Sequence, residues 1–417
     1  MKISLHRVLT GVAMLTAAAL TTASCGFGGD DDSSNDPNVI NLLVPSYSDG
    51  ANGTKALWDG IIADFQQANS DITVKLQVES WDTINDVVRT KLQSESTTPD
   101  ILNIDAYAEF AGDGQLYPAE DIVSAEVLAD IQPSFAENAS IDGTQWALPL
   151  FASTRTLFYN TELFERAGVA APPKTWTELT DAARKIQALG DGISGYGLPL
   201  GSEEAQAETS IWTFGAGGSW SDGDTLTIDT PANLEGVRAM RAIIDAGVTQ
   251  PNPGATDRAD VINAFIQGKI GMIEGLPPTI GQIAEKNPSL KYATAPTPTK
   301  TGAPVTLGVA DHLMAFKKDG GKQAAIEKFL SFFYAPASYA KFVSNENFIP
   351  ITVSGAEALA DDPVAEAFSA TLPTAEFYPS NNPKWAAAQG TMQQQMGTIA
   401  QGADPAEVLR KIQQAAS

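Results

Sequence analysis

Cysteine and histidine are nearly absent from this chain. Its 417 residues include one cysteine, Cys25, and two histidines, of which only His312 lies beyond the N-terminal segment. Without a second cysteine there is no disulfide framework and no cysteine-based metal site. A single histidine is also too few for a zinc or manganese carrier. The sequence therefore predicts no bound metal and no cofactor.

Motifs for catalysis are scarce as well. Nucleophilic catalysis needs a base beside the nucleophile, and no G-x-S-x-G turn supports a serine–histidine site around His312. The glycine-rich stretch Gly215–Trp220 lacks the lysine of a phosphate-binding loop. We therefore expect a protein that is not an enzyme. A glycoside hydrolase stays open as an alternative, because its pair of carboxyl groups has no local signature.

Positive charge is the third shortage. The chain has 26 lysines and arginines against 50 acidic residues, which gives a net charge of −24. So acidic a surface disfavours nucleic acids and anionic lipid headgroups, and it favours solubility and cationic ligands. The length predicts at least two domains.

The N-terminus indicates export. A basic head precedes the uncharged apolar run Val8–Leu20, which at 13 residues is shorter than the roughly 20 that span a bilayer. We interpret residues 1–24 as a signal peptide, and residues 25–38, rich in Gly, Asp and Ser, as a flexible acidic leash. The small residues before Cys25 resemble the lipobox of bacterial lipoproteins. That resemblance implies that Cys25 carries a lipid and anchors the protein at the outer face of the cytoplasmic membrane.

Strand and helix patterns then alternate along the chain. Strict alternation or short apolar runs predict strands at Val39–Val44, Ile72–Val78 and Ile101–Ile104, and helical spacing predicts helices at Thr54–Gln67 and Ile84–Leu92. This order predicts a mainly parallel sheet flanked by helices. A second α/β block begins near Trp146. Ligands of such sheets bind at the carboxyl ends of the strands, which directs attention to the loops Pro45–Gly50, Glu79–Asp82 and Asp105–Phe110.

Aromatic residues on predicted loops or element ends give the clearest chemical signal. Aromatic faces stack on the C–H faces of sugar rings, and sugar hydroxyls pair with acidic, amide and arginine side chains. The candidates for stacking are Tyr47, Trp81, Tyr107, Phe151, Trp212 and Trp385. The polar candidates near them in sequence are Asp49, Asp82, Asp105, Arg155, Glu274 and Asp311.

The segment Asp142–Leu179 resembles a known family. Its "LFYN" and "LFERAGVAAPPKTWTEL" are similar to the corresponding stretches of the family 1 extracellular solute-binding proteins of ABC importers, the carbohydrate binders that include maltose-binding protein. Three more stretches agree with that family: Thr98–Asp121, Val261–Gly275 and Gly308–Pro336. Together the matches cover almost all of Asn38–Ser417.

The resemblance implies a two-lobed, type II periplasmic-binding-protein-like α/β fold, in which each lobe is a mainly parallel sheet flanked by helices and the ligand cleft lies between the lobes. Applied to this chain, it implies an N-terminal lobe of residues 39–147 and 299–347 and a C-terminal lobe of residues 148–298 and 348–417. The expected hinges lie near Trp146–Leu150, Ala293–Pro298 and Phe348–Thr352. A monomer is expected to close around its ligand and then dock on membrane permease subunits.

The resemblance also implies positions for individual residues. Asp105 and Tyr107 match the family's ligand loop, and Arg155 matches an arginine seen in many members. Asp311 and His312 replace a glycine–tryptophan pair that often meets the sugar. Trp212 precedes a segment that resembles a cleft-lining one, and Trp385 matches an aromatic often near the cleft.

The expected function is the capture of a neutral carbohydrate or polyol for an ABC-type importer. One alternative keeps the fold and binds a polyamine or another organic cation through carboxylates and aromatic faces.

Overall fold

The first elements follow the predicted β–α–β–α–β order. The computed structural model describes residues 36–48, 53–318 and 320–417. The first strand, β1 (Val39–Pro45), pairs in parallel with β2 (Thr73–Glu79) along its whole length, and with β3 (Ile101–Ile104) on its other side. Since all three strands are parallel, their carboxyl ends meet at one edge of the sheet.

The remaining strands complete two larger sheets and two short ladders. They are β4 (Ser140–Ile141), β5 (Thr144–Gln145), β6 (Leu148–Thr154), β7 (Thr156–Asn160), β8 (Ser194–Gly197), β9 (Ser221–Asp222), β10 (Thr225–Leu226), β11 (Ile270–Gly275), β12 (Tyr292–Ala295), β13 (Thr306–Ala315) and β14 (Ala375–Phe377).

Helices cover both sheets. They are α1 (Thr54–Ala68), α2 (Ile84–Lys91), α3 (Ala108–Gly112), α4 (Ala125–Asp130), α5 (Pro133–Asn138), α6 (Thr161–Ala167), α7 (Trp176–Gln187), α8 (Ala205–Gly215), α9 (Pro231–Asp245), α10 (Arg258–Ile266), α11 (Pro278–Lys286), α12 (Gln323–Phe333), α13 (Pro336–Glu346), α14 (Val353–Ala358), α15 (Pro363–Ser369), α16 (Trp385–Gln395) and α17 (Pro405–Ala415).

Local sequence sets the ends of the clearest helices. Helix α9 begins where the Thr230 hydroxyl accepts a hydrogen bond from the Asn233 backbone N–H, with Pro231 in the first turn. It ends before Gly247, which adopts a left-handed φ of 66° that a side chain would oppose. Helix α7 starts with a capping box between Thr175 and Glu178. These signals explain why the sequence placed both helices correctly.

The larger sheet has the order β14-β13-β3-β1-β2, with β6 paired to β13 as well. Strand β13 runs antiparallel to β3 and β6 and parallel to β14. A strand that returns from late in the sequence therefore lies beside the predicted parallel core of this sheet.

The smaller sheet differs from the expected parallel arrangement. Its order is β12-β7-β11-β8, and only β8 and β11 are parallel, whereas β7 is antiparallel to both β11 and β12. The prediction of two mainly parallel sheets is therefore wrong for this one. The chain enters it directly from β6 along the strand β7, without the crossover helix that a parallel neighbour requires.

The expected lobe boundaries also need correction. The expected second lobe includes Leu148–Thr154, yet these residues form β6 in the larger sheet. Residues 348–377 are expected there too, but β14 pairs with β13, and Ile349 forms a bridge with Ala152 in β6. Local patterns do not show sheet membership here, because the partners are distant in sequence: Phe377 in β14 pairs with Gly308, and Ala152 in β6 pairs with Ala310.

The chain passes between the two sheets three times within the described residues. The first passage is at Arg155, between β6 and β7. The second follows β12 and ends at β13, and the third runs from residue 378 to α16, which packs on α8. Two of the expected hinges, Trp146–Leu150 and Phe348–Thr352, therefore lie within the part that belongs to the larger sheet.

Two main apolar cores stabilise the halves. Around the larger sheet, the rings of Trp58 and Phe333 stack with centroids 4.9 Å apart, and Phe65 meets Phe329 edge-on. On the smaller-sheet side, α8, α9, α16 and α17 bury Trp220, among other side chains. Across the three described ranges, no helix combines the length and hydrophobicity needed to cross a membrane.

Candidate ligand-binding site

Three predicted loops meet at the carboxyl edge of β1, β2 and β3. Tyr47 follows β1, Trp81 follows β2 and Asp105 follows β3. The half-buried Tyr47 ring lies edge-on to Trp81, at 5.7 Å between centroids, and edge-on to Phe151, at 4.9 Å. The parallel register thus places two of the candidate aromatic side chains against each other.

Asp311 enters this edge from the returning strand β13. Its Oδ2 accepts a hydrogen bond from the Tyr47 hydroxyl at 2.8 Å, and the same hydroxyl lies 2.9 Å from Asn103 Oδ1. Burial, followed by the nearby charge of Asp105, raises the pKa of Asp311 to about 7. The carboxyl group therefore changes charge near neutral pH.

Asp105 connects the two halves of the molecule. Its Oδ2 accepts a hydrogen bond at 2.8 Å from Nε2 of Gln389, which lies on α16 beside the smaller sheet. Burial raises the pKa of Asp105, although the bond from Gln389 opposes that shift. Neither Asp105 nor Asp311 forms a salt bridge among the described residues, so their negative charge is held by neutral donors.

Positive charge reaches the site through Arg155. This buried side chain forms an ion pair with Glu204 at 2.5 Å, and its Nη1 donates to Ser153 Oγ at 3.2 Å. Glu204 also pairs with Arg258. Burial raises the pKa of Glu204, but the charges of Arg258 and Arg155 outweigh it and lower the pKa overall.

A second layer of buried acids lies behind this ion pair. Glu208 accepts hydrogen bonds from the Tyr196 hydroxyl at 3.1 Å and from Trp212 Nε1 at 3.4 Å. Glu274 accepts one from Thr297 Oγ1 at 2.9 Å. Burial raises the pKa of Glu208 to about 7 and that of Glu274 to about 8. Both carboxyl groups are therefore largely protonated below neutral pH.

His312 is buried and neutral beside Asp105 and Asp311. Its Nδ1 lies 3.0 Å from the Asp105 carbonyl oxygen and donates to it, which leaves Nε2 as an acceptor. Burial lowers the pKa of His312 to about 4. The neighbouring Tyr107 donates its hydroxyl to the Asn138 carbonyl at 2.8 Å, so that hydroxyl is used within the protein.

An aromatic pair from the third passage closes the site. Tyr378 and Trp385 stack with centroids 5.3 Å apart at 30° between planes. Burial is the main cause that raises the pKa of Tyr378 well above its ordinary value. The charges of Glu204 and Asp105 raise it further, and that of Arg155 opposes them. The Tyr378 hydroxyl therefore lies near charged groups from both halves.

Several buried polar atoms around these residues have no hydrogen-bond partner in the described part of the chain. Unpaired buried groups are costly, so a set of them in one place points to a missing partner. They are Arg155 Nε, His312 Nε2, Tyr378 Oη, Trp385 Nε1 and Gln389 Oε1. We call these five residues, together with Asp105, Asp311 and Glu204, the polar cluster.

Some predicted site residues lie outside the polar cluster. Asp49 lies outside the described residues. Phe151 is buried and stacks on Phe348 at 3.7 Å, and Trp212 is buried next to Trp176. The interpretation that the candidate aromatics lie off the core faces is wrong for Phe151 and Trp212, and also for Tyr107 and Trp385, because all four side chains are buried within apolar clusters. Glu274 belongs to the layer behind the site.

Sequence reasoning missed three members of the polar cluster. Tyr378 lies in an aromatic-rich stretch ahead of Trp385, and that proximity was a usable signal. Gln389 and Glu204 gave none, because α16 and the segment before α8 meet Asp105 and Arg155 only in the folded chain.

One acidic group could hold a cation. Asp82 of the first half and Glu203 and Asp257 of the second have carboxylate oxygens within 4.8 Å of one another. After burial, the charges of Asp257 and Asp260 raise the pKa of Asp82. Backbone N–H groups of Arg258 and Glu203 already donate to Glu203 Oε2 and Asp257 Oδ1, at 2.9 Å and 3.3 Å. We therefore treat the group as a cluster of like charges across the mouth of the site.

Solved structures share this architecture. A solute-binding protein from Thermotoga lettingae bound with α-D-tagatose superposes with a TM-score of 0.79 at 23% identity, covering 91% of this chain and 100% of that one. A maltose-bound protein of T. maritima gives a TM-score of 0.77 at 19% identity, covering 91% and 98%. The expected two-lobed fold is confirmed.

Sequence comparison identifies the family. A binding protein of Brucella abortus is 33% identical over 83% of this chain and 85% of its own length. The diacetylchitobiose-binding protein of Streptomyces coelicolor is 23% identical over 98% and 97%. A sequence profile described as bacterial extracellular solute-binding protein matches residues 50–340. The chain therefore belongs to the bacterial extracellular solute-binding protein family.

Proposed function

We propose that this protein captures a neutral sugar or polyol between its two lobes and delivers it to the permease subunits of an ABC-type importer. The observation that carries this proposal is the polar cluster. Its buried atoms without partners include N–H and O–H donors from Arg155, Tyr378 and Trp385 as well as acceptors from His312 and Gln389.

A ligand that satisfies both kinds of atom must itself donate and accept. Hydroxyl groups do both, and a sugar or polyol presents several on a small frame. Asp105 and Asp311 add strong acceptors. The partly exposed Tyr47 and Trp81, at the carboxyl edge of the larger sheet, supply aromatic surface for the C–H face of a ring. The relative that binds diacetylchitobiose and the neighbour bound to tagatose support this class of ligand.

The fold supports capture by closure. In the described part of the chain three passages connect the lobes, and Gln389 of one lobe bonds to Asp105 of the other. A ligand that contacts both sides favours the closed arrangement through its differential affinity. The proposal includes a monomer that exposes the closed form to its permease.

Export and anchoring complete the proposal. The family is extracellular, and we infer a lipid attached at Cys25 and a leash that holds the lobes near the membrane. Cys25 and the signal peptide lie outside the described residues, so both stay predictions from sequence.

A thermal-shift panel of monosaccharides, disaccharides, polyols, polyamines and glycerol phosphates tests the ligand class. At a concentration of a hundred times its Kd, a specific ligand stabilises the folded protein by about 2.7 kcal/mol. The melting temperature rises as a result. We expect sugars or polyols to produce the shift. The proposal fails if no sugar or polyol changes the melting temperature.

Binding of an organic cation is the second candidate. Asp105 and Asp311 favour it, because two buried carboxyl groups without a cationic partner would gain from a positive ligand. A shift produced by polyamines alone would select this candidate. Sustained release of product from a glycoside would instead support the hydrolase alternative.

A further inference from the structure

A groove with a mixed polar and apolar lining lies on the second lobe outside the polar cluster. It has a volume of about 240 Å³. Three segments form it: residues 200–202 after β8, residues 254–257 before α10, and residues 393–401 at the end of α16 and beyond. At ~30 Å³ per water molecule this is room for roughly eight waters, a space of the order of one sugar ring.

Close contact between backbones forms the floor of the groove. A Cβ added to Gly254 would lie 2.2 Å from the Gly397 carbonyl oxygen, and one added to Gly397 would lie 2.1 Å from that of Gly254. Neither position accepts a side chain unless the backbone moves. The floor is therefore fixed by packing and stays free of side chains.

Amide side chains form the rim. Gln394 and Gln401 are exposed, and neither side chain has a hydrogen-bond partner in the described ranges. Each amide offers two donor hydrogens and an acceptor oxygen, the combination that sugar hydroxyls pair with. Asp257 is the one charged residue among those that line the groove, so the lining suits a neutral ligand.

Helix α16 connects the groove to the polar cluster. Gln389 bonds to Asp105 inside the site, and one turn later Gln393 Nε2 donates to the Glu203 carbonyl at 3.0 Å. Gln394 then lines the groove. Since Asp257 lines the groove and also faces Asp82 across the mouth, the groove begins where the site opens to solvent.

We propose that this groove is an accessory carbohydrate subsite, which holds a further sugar unit of a ligand whose first unit occupies the polar cluster. This inference rests on the proposed function, because it extends the same ligand. It means that a linked di- or trisaccharide binds more tightly than its monosaccharide.

Titration calorimetry with two named series tests this subsite. The probes are glucose, maltose and maltotriose, and mannose, mannobiose and mannotriose. We expect affinity to rise with chain length in at least one series. Ala255→Trp fills the groove and should lower affinity for the longer member by about tenfold, equal to ~1.4 kcal/mol, while affinity for the monosaccharide is unchanged.

Two further variants make the result specific. Gln394→Ala removes an amide without filling the groove and should weaken the longer ligand by a smaller factor. Ala360→Trp places the same bulk on an exposed position of the first lobe and should change nothing. Melting temperatures of all three variants report whether each is folded.

The outcomes separate this inference from the proposed function. Equal affinity across both series, an unchanged profile in Ala255→Trp, or no binding of any member overturns the accessory subsite. The proposed function fails separately, if no sugar or polyol in the wider panel stabilises the protein.

Discussion

Arg155 is the residue through which positive charge enters the polar cluster. It lies where the chain leaves the larger sheet for the smaller one, and the Thr306 hydroxyl donates to its carbonyl oxygen at 2.5 Å. Its buried guanidinium pairs with Glu204, which also serves Arg258. Glu204 thus bridges two buried positive charges. Its loss leaves Arg155 without an ionic partner in the described part of the chain and leaves Arg258 with only the longer contact to Glu208, at 3.9 Å.

Replacing Glu204 is expected to destabilise the fold strongly. In Glu204→Gln a neutral amide faces two buried guanidinium groups, so we expect the free energy of unfolding to fall by about 3 kcal/mol. Urea denaturation measures this change. Glu235 forms an exposed pair with Lys300 at 2.7 Å, so Glu235→Gln should cost less than ~1 kcal/mol. Equal costs for the two variants would contradict the role of Glu204.

At the scale of elements, the loop between β2 and α2 places a negative charge opposite negative charges of the second lobe. Asp82 in this loop lies opposite Glu203 and Asp257. Burial, followed by the charge of Glu204, raises the pKa of Glu203 to about 7, and Asp82 contributes to that rise. Because the group draws on both lobes, closure brings the charges together and opening separates them.

Removing the Asp82 charge is expected to favour closure. Burial and neighbouring carboxylates raise the pKa values of Asp82 and Glu203 where the lobes face each other, so the closed form binds protons more tightly, and the repulsion fades as pH falls. Asp82→Asn should therefore raise ligand affinity a few-fold at alkaline pH and have little effect at pH values near 5. Calorimetry with the most strongly stabilising sugar of the panel measures both.

The matched control for that variant is Asp71→Asn. Asp71 is exposed and precedes the start of β2, whereas Asp82 follows its end. It should change affinity at neither pH. If both variants behave alike, the effect comes from net charge and not from the mouth of the site.

The whole molecule carries an excess of buried acid. Burial is the leading cause that raises the pKa of Asp311, Glu203 and Glu208 to about 7 and that of Glu274 to about 8. A carboxyl group whose pKa is higher in the folded than in the unfolded protein stabilises the fold fully at pH values below its unfolded-state pKa. This contribution is lost as the pH rises through its folded-state pKa. His312 acts in the opposite direction, since its pKa is lowered to about 4.

We therefore expect the protein to be less stable at pH 8 than near pH 5.5. Ionisation of the buried acids destabilises the fold in that window, and the net charge of −24 adds repulsion. Below pH 6.5 His312 partly offsets this increase in stability, because its side chain takes up a proton in the unfolded protein but stays neutral in the folded one. Urea denaturation across this range measures the curve, and Glu274→Gln should flatten it. Greater stability at pH 8 would contradict the assignment.

Local patterns predicted the elements that depend on near neighbours. Alternation and helical spacing located β1, α1, β2, α2 and β3, and their parallel order placed Tyr47, Trp81 and Asp105 at one edge. Motif similarity gave the family and the two-lobed fold. These features can be predicted from the sequence because the patterns and motifs that indicate them lie within short stretches of the chain.

Only the tertiary structure decided how the distant parts meet. The pairing of β6 and β14 with β13 moved both lobe boundaries. The contact of Gln389 with Asp105 spans 284 residues, so no local pattern could indicate it. The sequence by itself therefore determined the class of protein and one edge of its site. The folded chain decided which side chains face each other there, because burial and charge pairing depend on proximity in space.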